Sequence, residues 1–236
     1  MEIPILYEDE HSVVINKPAG IVVHSDGKTK EESVSDWVAL HYPNTESVGE
    51  PTILSNGEKI IRPGIVHRLD RETSGAMLIA KTKEGFDYLK QQFKDRKIEK
   101  IYHLFVYGKI KREDGTINLP IGRSKKDFRM RSAEEGARGE LREALTYYRV
   151  LKRSDSFSFV EARPKTGRTH QIRVHFKALG YPVVGDKLYA KNRESGLGFK
   201  RLALHAFSLS FTSLGGKRIT ANAPYPEDFK AAISFF

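Results

Sequence analysis

Asp70 lies in the stretch Gly64-Ile65-Val66-His67-Arg68-Leu69-Asp70-Arg71-Glu72-Thr73-Ser74-Gly75, which sets one carboxylate among basic and small polar residues. The apolar run Ala76-Met77-Leu78-Ile79-Ala80 follows, bounded by turn residues in the manner of a buried strand. A carboxylate at the mouth of such a strand is rigidly held and still reachable, which suits acid, base or nucleophilic work without a metal. Local spacing alone leaves Asp70 equally readable as half of a surface ion pair with Arg68 or Arg71.

A second stretch that could do chemistry runs from Ala162 to Lys177, with five Lys/Arg and no Asp/Glu. Arg168 to Leu179 reads as a helix, because Ile172, Phe176 and Leu179 share one stripe while His170, Arg173 and Lys177 share another. A cationic helix start with an apolar anchor is a natural place to meet phosphate or a carboxylate. His170 and His175 are five residues apart, which does not match the four-residue spacing of two zinc ligands on one helical face, so both are expected to be hydrogen-bonded structural histidines.

The elements that must position these residues can be read from periodicity. Residues 3–7 and 11–16 are apolar runs split by Glu8-Asp9-Glu10, a hairpin or strand pair that Lys17-Pro18-Ala19-Gly20 ends. A helix is expected over 31–42 with Val34, Trp37, Val38 and Tyr42 inward, and another from Thr82 to about Lys94 with Phe86, Leu89 and Phe93 buried. Between them, 44–63 reads as a loop or a small hairpin around Ser55-Asn56-Gly57. Residues 99–109 read as a strand buried on both faces, with Tyr102 near its start.

Residues 120–143 carry seven Lys/Arg against five Asp/Glu and read as a mobile loop or hairpin. Lys125 and Arg129, interleaved with Phe128 and Met130, suit RNA contact, although a solvated loop fits the composition equally well. Strands at 145–151, 157–162, 203–211 and 217–223 and a short helix after Pro226 complete the pattern. The expected fold is α+β (mixed α/β), a single domain over 1–236 with a largely antiparallel central sheet flanked by helices.

Composition narrows the function. The formal net charge is +10, yet residues 1–60 hold four Lys/Arg against eleven Asp/Glu, so the rest of the chain carries +17. Such a basic surface fits a polyanion partner, through neutralised phosphates and released counterions. With no cysteine in 236 residues, disulfides, thiolate zinc sites and cysteine nucleophiles are excluded. No run approaches the roughly 18 apolar residues of a membrane span, and the start of the chain lacks a secretory signal, so a cytoplasmic location is expected.

His67-Arg68-Leu69-Asp70 with Thr73-Ser74-Gly75 resembles the signature motif of the RluA-type pseudouridine synthases, which isomerise uridine within RNA. Asn16-Lys17-Pro18-Ala19-Gly20, Lys100-Ile101-Tyr102, Thr166-Gly167-Arg168-Thr169-His170-Gln171-Ile172-Arg173-Val174-His175, Val184-Gly185-Asp186 and Leu204-His205-Ala206 resemble further motifs in the order that family requires. The resemblance implies that Asp70 is the catalytic carboxylate, acting on the sugar, on the base or on a glycal-like intermediate. It implies that Tyr102 packs on the target base and takes its C5 proton, and that Arg173 holds the Asp70 carboxylate ionised in a site closed to water. Arg68 would help to occupy the position of a flipped nucleotide, while His67 shapes the loop.

Arg68, His67, Arg168, His170, Lys125 and Arg129 are thus the expected RNA-binding set. No cofactor and no metal are expected. The expected partner is RNA, ribosomal before transfer RNA, with no DNA or membrane, and the chain is expected to be a monomer without the S4-type RNA-binding module often found in the family. Two other classes compete: a non-catalytic RNA-binding domain, against which Asp70, Tyr102 and Arg173 argue, and a metal-dependent nuclease or phosphatase, for which no ligand cluster has the spacing.

Overall fold

Apolar runs bounded by Gly, Pro and acidic turns become strands, and the segments of helical period become helices. A computed structural model of the chain describes residues 1–24, 31–53, 57, 59–125, 127, 129–133 and 137–236. In chain order the elements are β1 (Ile5–Glu8), β2 (Ser12–Lys17), α1 (Val34–His41), β3 (Pro51–Ile53), β4 (Lys59–Ile61), β5 (Ser74–Ala80), α2 (Lys83–Lys94), β6 (Glu99–Tyr107), β7 (Asp114–Asn118), β8 (Ile121–Arg123), β9 (Arg131–Ser132), β10 (Arg138–Arg142), β11 (Leu145–Arg153), β12 (Phe157–Pro164), α3 (Gln171–Ala178), β13 (Leu204–Thr212), β14 (Arg218–Asn222) and α4 (Glu227–Ile233). They fall into two compact units, Met1–Glu99 with Ala206–Pro224, and Lys100–His205 with Tyr225–Phe236. The fold is α+β with largely antiparallel strand pairing, as the sequence leads one to expect.

In the first unit β2 pairs antiparallel with β1 on one side and β5 on the other, and the second of these registers sets Lys17 opposite Gly75. Every residue of β5 is buried, which fits its apolar composition. The core joins Val14, Leu78, Phe86, Leu89, Phe211 and Ile219. Ser33 and Asp36 form a reciprocal capping box at the start of α1, and Thr82 Oγ1 accepts the Gly85 N–H at the start of α2. Strands β3 and β4 pair antiparallel, as the hairpin alternative for this region requires; Ser55 and Asn56 of its turn lie outside the described residues.

In the second unit β6, β12, β11 and β7 are neighbours in that order, all antiparallel. Phe105 stacks on Phe159 at 4.7 Å between ring centres and meets Phe199 and Phe229 at 5.4 Å each. The expectations for β6 and for the helix over 168–179 need correcting. The first four residues of β6 are exposed or half-buried, so this strand is not covered along its whole length and the Tyr102 ring is left partly accessible. The helix expected over 168–179 begins only at Gln171, because His170 takes a left-handed backbone (φ 58°) and the Gln171 side chain accepts the Arg168 N–H at 3.0 Å.

Of the stripe His170, Arg173 and Lys177, Arg173 is buried with every residue from Gln171 to Phe176, whereas His170 and Lys177 are half-buried, and Leu179 of the apolar stripe is exposed. Residues 121–142 contain a small sheet ordered β10-β8-β9, which answers to the hairpin alternative and not to a structureless loop. Lys126 and Phe128 of this region lie outside the described residues. Among the described residues no helix is long and apolar enough to cross a membrane.

Candidate active site

In the first unit, Asp70 sits half-exposed in the turn that leads into β5, where the Thr73 N–H donates to the Asp70 carbonyl at 3.1 Å. This turn is held from beneath by Lys17, whose side chain is fully buried. Its Nζ donates to the carbonyl oxygens of Pro18 at 2.8 Å, Arg71 at 3.0 Å and Thr73 at 3.0 Å. A buried ammonium is tolerated only when its protons are satisfied, and here two of the acceptors flank Asp70 on its C-terminal side. The Gly20 N–H also donates to the Arg71 carbonyl, at 2.9 Å, so the strand-ending Lys17–Gly20 segment and the Asp70 turn are one hydrogen-bonded unit.

Gly75 closes the turn against β13: its φ is 114°, and a Cβ there would collide with the carbonyl oxygen of Ala206. His67 is half-buried, with its Nε2 accepting the Leu78 N–H at 2.9 Å and its ring 4.8 Å from that of Phe93. That lone pair must be unprotonated, so a neutral His67 carries its proton on Nδ1. Arg68 is exposed, and Arg71 forms a two-pronged pair with Glu31 at 2.7 and 2.6 Å. Burial, then the charges of Arg62 and Arg68, push the His24 imidazole down to about 4, so this face of the unit carries guanidinium charge beside a neutral histidine at pH 7.

In the second unit, Arg173 on α3 is gripped by Asp186: Nε donates to Oδ2 at 2.7 Å and Nη2 to Oδ1 at 2.9 Å, with the Asp186 side chain fully buried. A further acceptor must therefore approach this guanidinium through its end-on edge. Asp186 is itself fixed by the N–H groups of Leu188 and Tyr189, each at 3.0 Å. Gly185 before it has a φ of 71°, and a Cβ at that position would run into the Arg201 carbonyl. The Tyr189 ring lies under the guanidinium, 5.0 Å from Cζ, and its hydroxyl contacts His170 Nδ1 at 3.0 Å.

Tyr102 lies on β6 opposite Ala162, its ring packed partly buried against the core of the unit. Two residues earlier, burial and then the Lys165 charge push the Lys100 amine down to about 8. Arg168 is half-buried, and its Nε donates to the Glu143 carbonyl at 3.0 Å. Lys125 is exposed on the β8–β10 segment, whereas Arg129 is held in a two-pronged pair with Asp127 at 3.0 and 2.7 Å, which keeps the Asp127 carboxyl down at about 2. His175 is fully buried between Thr146 Oγ1 at 2.9 Å and the Leu119 carbonyl at 3.0 Å, a structural histidine as its spacing suggests. Among the described residues no group of His, Asp or Glu could hold a metal ion.

Sequence reasoning underrated three residues. Lys17 reads from the sequence only as the end of a strand, although a lysine closing an otherwise apolar strand is a signal in itself. Asp186 was noticed only within a motif, and Tyr189 not at all. Gln171 is a fourth organiser: Oε1 accepts from Thr166 Oγ1 at 2.7 Å and Nε2 donates to Thr146 Oγ1 at 3.0 Å, which orders the turn before α3.

Residues 11–178 match the RNA pseudouridylate synthase family. The chain is 40% identical over 232 residues to an uncharacterized RNA pseudouridine synthase of Synechocystis, covering 98% of this chain and 68% of that protein. It is 38% identical over 242 residues to the ribosomal large subunit pseudouridine synthase D of Xanthomonas campestris, with 98% and 68% covered. In three dimensions it is similar to the human RNA pseudouridylate synthase domain containing 1, with a TM-score of 0.73 at 28% identity over 95% of this chain and 84% of that one. Motif order, fold and these likenesses converge, and the chain belongs to the RNA pseudouridine synthases of the RluA type, isomerases that act on RNA.

Proposed function

We propose that this chain converts defined uridines of large-subunit ribosomal RNA to pseudouridine, with Asp70 as the catalytic carboxylate. The observation that carries this reading is the setting of Asp70: a half-exposed carboxylate on a turn pinned by the buried Lys17 ammonium and by the close approach of Gly75 to Ala206. The reaction breaks the N1–C1′ bond, turns the base and joins its C5 to C1′, so no electrons leave the substrate and a fixed carboxylate suffices. A stacked uridine hides these atoms, and the nucleotide is flipped out of the helix to reach them. The likeness to a ribosomal large subunit synthase supports the choice of RNA.

Tyr102, partly accessible on β6, packs on the flipped base and takes its C5 proton. Arg173, held in place by Asp186, is the fixed cation that stabilises negative charge in the reaction. Arg68 fills the position the base has left and His67 holds the loop in shape. Arg168, His170, Lys125 and Arg129 meet the RNA, with phosphate the main contact. The enzyme works as a cytoplasmic monomer.

Carbodiimide mapping of pseudouridine in total RNA, from a deletion strain supplied with the wild-type chain or with Asp70→Asn, tests this directly. The wild-type chain restores one or more large-subunit sites, and the Asn variant restores none while binding RNA within a few-fold of wild type. Turnover by Asp70→Asn would refute the role of Asp70, and restored sites confined to transfer RNA would refute the choice of substrate.

A further inference from the structure

Tyr189 stands where three parts of the second unit meet. Its ring, 5% exposed, lies under the Arg173 guanidinium at 5.0 Å from Cζ. Its hydroxyl accepts the Arg131 N–H from β9 at 2.8 Å and contacts His170 Nδ1, on the left-handed residue that opens α3, at 3.0 Å. With the Arg131 N–H on a lone pair, the hydroxyl can give its own proton to Nδ1. The backbone N–H of Tyr189 and the Arg173 guanidinium share Asp186 as their acceptor. A further tie joins the same segments, since Lys191 Nζ lies 4.0 Å from the Asp127 carboxylate.

We propose that Tyr189 is a positioning residue that couples the β8–β10 sheet to the guanidinium of Arg173, so that the seating of this sheet on RNA sets the geometry of the cation. The proposal rests on the reading of Arg173 as a residue of the reaction. An arginine has several rotatable bonds, and holding it in one geometry before substrate arrives removes an ordering cost from the chemical step. Asp186 restrains the guanidinium from one edge and the Tyr189 ring from one face. The Tyr189 hydroxyl reaches from this cage to the backbone of β9. Met130 and Ala133 pack against the cluster of Val174 and Tyr189, so a displacement of β9 bears on the ring as well as on the hydroxyl.

The test is single-turnover pseudouridine formation by the purified full chain at saturating unmodified large-subunit rRNA transcript, with filter-binding Kd and melting temperature measured alongside. Tyr189→Leu removes ring and hydroxyl and is expected to lower the rate constant about 100-fold, the scale of a 1 Å misplacement, with Kd within about threefold of wild type. Tyr189→Phe keeps the platform and loses the hydroxyl links, so it should recover part of the rate and remain about tenfold slow. A side chain needed only for folding would lower the melting temperature without this split between rate and Kd. A Leu variant of normal rate, or one whose whole loss lies in Kd, overturns the proposal. Should the Leu variant melt too low to assay, an undiminished rate in Tyr189→Phe overturns the coupling to β9. Arg173→Lys is run in parallel: impaired beside a normal Tyr189→Leu, it defeats the coupling alone, whereas near-normal turnover by Arg173→Lys defeats the reading of Arg173 on which the coupling rests.

Discussion

Replacing Lys17 by Met sets two large effects against each other. The wild-type ammonium donates to three carbonyls at 2.8, 3.0 and 3.0 Å, and hydrogen bonds to a charged group contribute roughly 1.5–3 kcal/mol each. Against this stands the several kcal/mol that burial of a charge costs, which the Met variant recovers. Met is close in length and fits a fully buried site, so little cavity forms. The Arg71 carbonyl keeps the Gly20 N–H, but the loss of the ammonium weakens the satisfaction of all three acceptors. The net is a destabilisation of about 2–4 kcal/mol, which for a chain of this size lowers the melting temperature by about 5–15 °C.

Because the Arg71 and Thr73 carbonyls frame the Asp70 turn, the same change should slow single-turnover isomerisation by about 100-fold at a temperature where the variant is folded. Urea unfolding and the single-turnover rate are the two measurements. An unchanged or raised urea midpoint would refute the argument that the ammonium holds the turn. A lowered midpoint with a normal rate would separate the turn from the chemistry.

Lys100 offers a pH test. Its folded-state value of about 8 lies below the ordinary lysine value of about 10.4, so its buried charge is a full cost below pH 8, and that cost is relieved as pH rises toward 10.4. Lys100→Met should therefore stabilise the protein by about 1–3 kcal/mol at pH 7 and by almost nothing near pH 10.5; an equal effect at both would rule the shift out. For RNA held by phosphates, Lys125→Gln should make the logarithmic salt slope shallower by about 0.7, whereas Asp127→Asn, which releases Arg129, should steepen it by up to about that amount. If neither moves the slope, the RNA path runs along the cationic stretch from Arg163 to Lys177 and not over β8–β10.

Periodicity and turn chemistry along the chain are local properties, and the sequence by itself determined what depends on them. It yielded the strand at 76–80 that lies within Ser74–Ala80, the cap Thr82, the strands at 145–151 and 157–162, the structural character of His175 and the motif loop that carries Asp70. It misread the start of α3, since a left-handed residue at His170 is favoured by the tertiary partners of Gln171 and not by helical spacing. Helical spacing also set Arg173 on one stripe with His170 and Lys177, and nothing local to that helix shows that Asp186 is the carboxylate its guanidinium grips. That partner, Asp186, is 13 residues away, the Lys17 acceptors Arg71 and Thr73 are 54 and 56 residues away, and the Tyr189 hydroxyl meets a backbone 58 residues before it. Contacts across such separations are chosen by the packing of whole elements, so only the tertiary structure decided which charge is matched, which ring lies under a guanidinium and which turn a buried lysine holds.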